Sequence, residues 1–318
     1  MIGDEDSCWR NQPSEFGKAL NAAENLAEYD MLINLAYRML GSMADAEDVA
    51  QETYVRWYSL LPTERQNIKT PAAWCVRVAS RLCIDILRSA RRRREHYIGP
   101  WIPEPISTRA HTESNSLPMD PADRVTLDES VAMAVLIILE SMTPAERVSF
   151  VLHDVFRYSF GEISEIVGRS EVACRQLANS ARRRVESSRP VPTDARNLST
   201  AVNQFKAAFE HGDVNTLISI LDPQVTAAFD GGGRVRAALR PVIGADKVAR
   251  LLFGLFRRQP QFDLSVRNVN GEPGLAVSLH GSIIAVAAFG IRDGLIKQVW
   301  VVVNPAKLLR WQVDQPET

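Results

Sequence analysis

The amino-acid sequence predicts two all-α domains followed by one α+β domain. The chain has 318 residues, which is enough for two or three domains at roughly 100–200 residues each. Helical periodicity of apolar residues runs through residues 25–98 and 129–188, whereas short strand-like runs dominate residues 197–318. The stretches between these blocks, residues 99–128 and 189–196, contain several prolines and are predicted to be linkers, the first of them largely extended.

The composition is that of a globular protein. The chain is 46% hydrophobic and 24% charged, which excludes wholesale disorder. Residues 1–24 lack periodicity and are expected to form a flexible tail. This tail begins with acidic residues, and no apolar run approaches the roughly 20 residues that span a bilayer. We therefore expect a cytoplasmic protein that has no membrane partner.

The sequence motifs of common catalytic, nucleotide and metal sites do not occur. The four cysteines form no CxxC pair, and the five histidines show neither HxxxH nor HExxH spacing. The GxGxxG, GxxxxGK[ST] and GxSxG patterns are also missing. The sequence therefore predicts no metal, no cofactor and no catalytic residue.

The net charge of −1 hides a strong segregation of charge along the chain. Residues 61–100 contain nine basic and three acidic residues, and residues 171–196 contain six basic and three acidic ones. Residues 1–60 and 101–170 are acidic, with eleven Asp and Glu in each. Two basic blocks beside two acidic ones are typical of a protein that binds nucleic acid at two places and a basic partner elsewhere. Solvated helix faces are the alternative.

An acidic stripe is predicted on the helix that follows Ser42. Asp48, Gln51 and Glu52 are spaced i, i+3, i+4, and Asp45 extends the stripe by one turn. Like charges this close repel each other unless a basic partner meets them. A solvated acidic face near a helix N-terminus is the alternative.

A basic stripe is predicted on the helix that begins at Thr70-Pro71. Two apolar rows form its buried side, and Cys75 and Cys83 are interpreted as small apolar fillers within them. Guanidinium groups on the opposite side would follow a phosphate backbone. Tyr97 and Trp101 come next and offer rings on which unpaired bases stack, while a charged helix end is the alternative. The arginines concerned are Arg77, Arg81, Arg88, Arg91 and Arg92.

A helix-turn-helix is predicted near residue 168. A helix over 162–167 ends at Gly168, and Ser170 caps a longer helix over 171–186. Arg175 and Gln176 would reach base edges in a major groove, while the later arginines would bind phosphates. An ordinary pair of helices is the alternative. The residues predicted to be exposed on the second helix are Glu171, Val172, Arg175, Gln176, Asn179, Arg182 and Arg183; those predicted to be buried are Cys174, Leu177, Ala181 and Val185.

The C-terminal part is predicted to be a cone built from a curved, mostly antiparallel sheet and three helices. Arg292-Asp293-Gly294 is a hairpin signal between the last two strands. The helices are predicted at about 198–211, 213–221 and 245–257, and the strands at 225–229, 262–269, 275–279, 283–291 and 295–303.

Six short motifs, in this order, resemble those of bacterial extracytoplasmic-function sigma factors of the sigma-70 superfamily with a fused SnoaL-like (NTF2-like) C-terminal domain. The resemblance extends from about Asn25 to Val303 and is specific for the set rather than for any one motif. The motifs are Leu35–Arg38, Asp45–Glu52, Arg81–Arg88, Trp101–Pro105, Asp120–Arg124 and Ala145–Asp154.

The resemblance implies an alternative sigma factor, not an enzyme, that binds promoter DNA and the beta-prime clamp helices and beta flap of core RNA polymerase. Asp45, Asp48, Gln51 and Glu52 would dock on the clamp helices. The basic helix and the preceding segment, 61–69, would melt and read the minus-ten element. The second helix of the helix-turn-helix would read the minus-thirty-five element.

The resemblance also implies that the fused domain tunes activity, and two C-terminal signatures, Asp230–Arg234 and Asn304–Leu308, go with it. Trp101 and Pro103, before the domain, are predicted to be regulatory as well. Position 306 is alanine where the family often has aspartate, and the loss of this acid is expected to weaken anchoring of the terminal segment. The predicted regulatory residues are Trp101, Pro103, Asp230, Gly231, Gly232, Gly233, Arg234, Asn304, Pro305 and Lys307.

Other functions remain open for the C-terminal cone. Related cones include enzymes, but here only His280 and Gln298 are obvious polar candidates and there are no paired carboxylates. Cones of this type often enclose a cavity, which would suit a small apolar ligand. A DNA-binding regulator with a ligand-sensing domain would use the helix-turn-helix but neither the acidic nor the basic stripe.

Overall fold

The computed structural model describes residues 23–94, 97–107, 132–188, 195–256 and 261–313. Two helical parts precede an α+β part, which confirms the predicted fold class. The predicted tail, most of the first linker and the second linker lie mainly outside these ranges. Within them, no helix is long and apolar enough to cross a membrane.

The first helical part holds four helices, and its caps follow the sequence signals. The Ser42 side chain accepts a hydrogen bond from the Asp45 amide at 3.3 Å and starts the second helix. On the long fourth helix, Cys75 and Cys83 are buried, as predicted for small apolar fillers. The helices are α1 Ala23–Leu40, α2 Met43–Ser59, α3 Pro62–Asn67 and α4 Pro71–Arg94.

The second helical part contains the predicted helix-turn-helix. Ser159 and Glu162 form a capping box at the start of its first helix, and Gly168 ends that helix in the left-handed conformation (φ 69°). A single turn of π-helix, Val151–Val155, interrupts the segment before it. The helices are α5 Met133–Glu140, α6 Pro144–Phe150, α7 Phe160–Val167 and α8 Glu171–Ser188.

The C-terminal part is a six-stranded sheet in the order β2-β1-β6-β5-β4-β3, with only β1 and β6 parallel. The predicted hairpin joins β5 to β6: Asp293 and Gly294 both have positive φ, as a two-residue turn of this kind requires. The helices are α9 Ala195–Glu210, α10 Val214–Ile220, α11 Ala245–Phe256 and α12 Leu309–Val313; the strands are β1 Leu221–Asp230, β2 Val242–Ile243, β3 Phe262–Val269, β4 Glu272–Leu279, β5 Ser282–Arg292 and β6 Leu295–Val302.

The two faces of this sheet are covered by different parts of the chain. The domain's own helices α9, α10 and α11 cover the inner face, where the rings of Phe205 and Phe289 meet edge-on at 5.0 Å. On the outer face, Trp300 and its neighbours pack against Ile102, Met133 and Trp311. The outer face is therefore buried by segments that precede and follow the sheet in sequence.

His280 and Gln298, the two polar candidates for a reaction inside the cone, are both exposed. His280 lies in the turn between β4 and β5, with φ 50°. Neither belongs to the apolar layer between the sheet and its helices. Among the described residues, no cluster of three or more His, Cys, Asp or Glu side chains could hold a metal.

Candidate nucleic-acid interface

The predicted acidic stripe is an open surface of α2. Asp48, Gln51 and Glu52 are exposed, whereas Asp45 is half-buried beside the start of the helix. Among the described residues, Glu52 pairs only with Arg56 on its own helix, at 2.9 Å. Since Val49, Ala50 and Thr53 form the buried side of α2, the acids point away from the domain core. Since no basic side chain from another described element pairs with these exposed acids, this face is available to a basic surface.

The basic stripe on α4 is partly engaged with the helix-turn-helix. Arg77 Nη2 lies 2.6 Å from the Glu165 carboxylate, and Arg81 Nη2 donates to the Glu165 carbonyl oxygen at 2.9 Å. Arg88 is exposed and lies 3.6 Å from Asp85 on the same helix. Arg91 and Arg92 fall within the last turns of α4, but their side chains lie outside the described residues.

The second helix of the helix-turn-helix, α8, exposes nearly the predicted set of side chains. Glu171, Val172, Gln176, Asn179 and Arg183 are all exposed. The guanidinium group of Arg175 is exposed too and lies 5.3 Å from the centre of the Phe160 ring. Leu177, expected in the core, is only half-buried, and Ala178 takes its place.

Arg182 differs from its prediction as an exposed residue. It is half-buried, and its Nε and Nη2 atoms donate to Asp154 Oδ1 at 2.8 and 2.6 Å. A third bond joins its Nη1 to Asn179 at 2.9 Å. This guanidinium group ties α8 to the preceding helices, a pairing between residues 28 positions apart that helical periodicity does not reveal.

The segments that hold the predicted regulatory residues meet at the carboxylate of Asp230, which is fully buried. Its two oxygens accept hydrogen bonds from the Tyr97 hydroxyl at 2.6 Å and the Ile102 amide at 2.9 Å, and they pair with Lys307 Nζ at 2.8 Å. The ammonium group also lies 4.0 Å from the centre of the Trp101 ring. Burial, followed by the hydrogen bond to Asp230, holds the pKa of Tyr97 well above its ordinary value.

The glycines of the signature allow this close packing. A Cβ atom on Gly232 would lie 2.3 Å from Asn304 Nδ2, which donates to the Tyr97 hydroxyl at 3.1 Å. A Cβ on Gly233 would lie 2.8 Å from Ile98 Cδ1. Both glycines have positive φ, so any other residue there would be strained as well as crowded.

Residues 101–106, predicted as part of an extended linker, are largely buried between the helical parts and the sheet. The Glu104 carboxylate accepts from the Met43 amide at 2.9 Å, and the Glu104 carbonyl accepts from the Tyr37 hydroxyl at 2.8 Å. Asn270 donates to Tyr37 at 2.7 Å and exchanges two hydrogen bonds with the backbone of Ile106. Burial raises the pKa of Glu104 despite these donors. The segment is therefore a fixed structural element.

The terminal segment is anchored even though Ala306 replaces the expected acid. Trp311 Nε1 donates to the Pro105 carbonyl at 2.9 Å, and Arg310 forms an ion pair with Glu47 on α2. Lys307 Nζ donates to the Ile102 carbonyl as well as to Asp230. Neighbouring side chains therefore anchor the segment, and a weaker anchoring through loss of the acid at position 306 stays a prediction.

Comparison with known proteins shows where this arrangement occurs elsewhere. Residues 26–93 match the Sigma-70 region 2 family and residues 132–185 match the Sigma-70 region 4 family. The chain is 37% identical, over 87% of its length and 89% of the relative's, to the ECF RNA polymerase sigma factor SigJ of Mycobacterium tuberculosis. It belongs to the ECF RNA polymerase sigma factors. A probable ECF sigma factor, SigI, of the same organism is 35% identical over 87% of this chain and 91% of its own length.

The crystal structure of M. tuberculosis SigJ shares the fold of this sigma factor. The match has a TM-score of 0.70 at 34% sequence identity and covers 90% of this chain and 97% of SigJ. Because the coverage is this high, the shared fold extends through the C-terminal domain as well as the two sigma regions.

Regions 2 and 4 of this sigma factor are packed together in the structure. Their apolar side chains belong to one continuous core. At its centre Arg147 of α6, only 2% exposed, donates to the Met39 carbonyl of α1 and to Glu140, both at 2.7 Å. Burial lowers the pKa of Arg147 to about 9. The bond from Arg147 to the Met39 carbonyl therefore joins region 4 to region 2 inside this shared core.

Proposed function

We propose that this sigma factor recruits core RNA polymerase, in the cytoplasm, through the face of α2 formed by Asp48, Gln51 and Glu52, and directs it to promoters with α4 and α8. Alternating acidic and basic surfaces support the proposal, because each has a partner of opposite charge in an initiation complex. The proposal that α8 selects the promoter rests on one observation: the N-terminal half of α8 is exposed and presents Arg175 and Gln176.

The packed arrangement corresponds, in this proposal, to a closed state. Elements named for positions minus ten and minus thirty-five are about 25 base pairs apart, or roughly 85 Å along B-form DNA. In the structure Arg77 of α4 touches Glu165 of the helix-turn-helix at 2.6 Å. One molecule cannot engage both elements in this form, so region 4 must separate from region 2 before initiation.

The C-terminal domain is proposed to stabilise the closed state. Its outer face packs on Ile102, which follows region 2, and on Met133, which begins region 4. It also pairs Arg310 with Glu47, one residue from the proposed polymerase-binding face. Such a domain tunes transcription by shifting the balance between closed and open forms. A small apolar ligand between the sheet and its helices stays a prediction.

The experiment that tests promoter choice is transcription in vitro with purified core polymerase and a pool of promoter fragments. Replacing Arg175 with alanine is expected to redistribute transcripts among promoters, since a bidentate contact to a base contributes about 1–3 kcal/mol of discrimination. Replacing Arg183 with glutamine is expected to weaken all promoters alike and to lower the salt slope of binding by about 0.9.

Arg183 is the matched control because it is exposed on the same helix as Arg175. Arg182 is unsuitable, since its removal would leave Asp154 without its partner. The same loss on every promoter from both variants would contradict base recognition by α8. No transcription from any promoter with the unmodified chain would contradict the sigma activity itself.

A further inference from the structure

A loop of the C-terminal domain carries a basic surface that the sigma regions do not account for. It covers residues 231–241, between β1 and β2, and contains three arginines and no acidic residue. Arg234, Arg236 and Arg240 are all exposed. Among the described residues, none of the three side chains has a hydrogen-bonding or ion-pair partner. Three unpaired cations on one short loop repel each other unless an anionic partner covers them.

This loop lies against the end of the minus-ten helix. Its glycines pack on the residues that follow α4: a Cβ on Gly233 would lie 2.8 Å from Ile98, and Asp230 at the loop's start accepts from Tyr97. Helix α4 ends at Arg94, three residues before Tyr97, so these points are at most about 11 Å apart. The end of the α4 backbone and the residues that the loop contacts are thus about one Debye length apart.

Exposed apolar side chains lie where this loop contacts the residues that follow α4. Ile98 is 57% exposed, Leu239 is 65% exposed and Val235 is 41% exposed. Leu239 lies against the chain at Gly99, where a Cβ would meet it at 3.9 Å. Exposed apolar residues bordered by cations are unfavourable in water and mark a surface that a ligand covers.

We infer that the loop of residues 231–241 binds the phosphate backbone of promoter DNA beside the minus-ten element. This inference rests on the proposed minus-ten role of α4 and extends it, because the C-terminal domain then contributes directly to promoter binding. The loop is attached to region 2 by the Asp230–Tyr97 and Asp230–Ile102 contacts. It therefore stays beside α4 when region 4 moves away. An unpaired arginine suits a phosphate, which it can bind through two parallel N–H groups.

The test uses holoenzyme assembled from core polymerase and the full chain. Binding to a promoter duplex with mismatches across the minus-ten element is measured between about 50 and 200 mM salt. The triple variant Arg234→Gln, Arg236→Gln, Arg240→Gln is expected to bind about tenfold more weakly or worse, with the salt slope reduced by about 0.9 for each phosphate that no longer meets an arginine. Its thermal unfolding midpoint should match that of the unmodified chain, since the three side chains are exposed and unpaired.

A matched triple variant, Arg250→Gln, Arg267→Gln, Arg292→Gln, removes the same charge from α11, β3 and β5 and should keep the original salt slope. Arg88→Gln reports separately on α4. If Arg88→Gln weakens binding while the loop variant does not, the inference about the loop is wrong and the minus-ten role of α4 survives. If the loop variant loses affinity for core polymerase instead, the surface binds protein and the DNA inference is wrong. If the unmodified holoenzyme does not bind this DNA, the proposed function itself fails.

Discussion

Reversing the charge at Asp48 and Glu52 to lysine is expected to abolish binding to core RNA polymerase. Both carboxylates are exposed on α2, and within the described part of the chain their removal breaks only the bond from Arg56 to Glu52 on the same helix. If the two carboxylates meet a basic surface of the polymerase, lysines in their place put like charges opposite one another, which costs several kcal/mol of binding free energy. We expect the affinity for core polymerase, measured by titration with labelled sigma factor, to fall by about 100-fold or more.

A matched control separates the docking surface from net charge. Asp263→Lys with Glu210→Lys makes the same change of charge on exposed residues of the C-terminal domain, far along the chain from α2. Both double variants should unfold at the temperature of the unmodified chain, because none of the four side chains is buried. Equal affinity of the two variants for polymerase would contradict docking through α2.

Helical surfaces of this protein were predictable from sequence because they are local. The spacing of Asp48, Gln51 and Glu52 places them on one face of α2 wherever that helix lies. The same holds for Arg175 and Gln176 at the start of α8, and the hairpin at Asp293-Gly294 follows from the φ angles that its residues tolerate. These features depend on contacts within one or two helical turns or one tight turn.

What could not be predicted depends on contacts between distant parts of the chain. The segment around Glu104 has the proline content of a linker, yet it is buried. The Tyr37 hydroxyl donates to the Glu104 carbonyl and accepts from Asn270, which is 233 residues further along the chain. The bond from Arg81 to Glu165 likewise joins residues 84 positions apart. The periodicity of apolar residues along a helix or strand carries no information about such distant pairs. One sequence signal did point to long-range contacts. The family resemblance identified the signatures that contain Asp230 and Lys307, but it did not show that these two residues touch.

The second large effect is expected at Asp230, where a conservative change should detach the C-terminal domain from region 2. Asp230→Asn keeps the shape of the side chain but leaves Lys307, whose side chain is 11% exposed, as a buried cation without its counter-ion. Removing one partner of a buried ion pair costs about 3–5 kcal/mol. Amide hydrogen exchange should report this loss directly, because the Ile102 amide donates to Asp230 and the Glu104 amide to the Gly41 carbonyl. Both amides should exchange about 100-fold faster or more.

A second substitution distinguishes loss of this ion pair from general damage to the domain. In the double variant Asp230→Asn, Lys307→Met no buried charge remains, and the methionine side chain can still pack on Trp101, so part of the protection should return. The amide of Phe289 in β5 lies opposite Val299, three residues along β6 from the residue that pairs with Asp230, and should keep its slow exchange in both variants. Faster exchange throughout β5 would mean that the sheet itself has been destabilised, and unchanged exchange at Ile102 would show that the pair does not hold the linker. We expect fast exchange at Ile102 in the single variant, partial recovery in the double variant and no change in β5. This result would identify the Asp230–Lys307 pair as the contact that controls separation of the C-terminal domain from region 2.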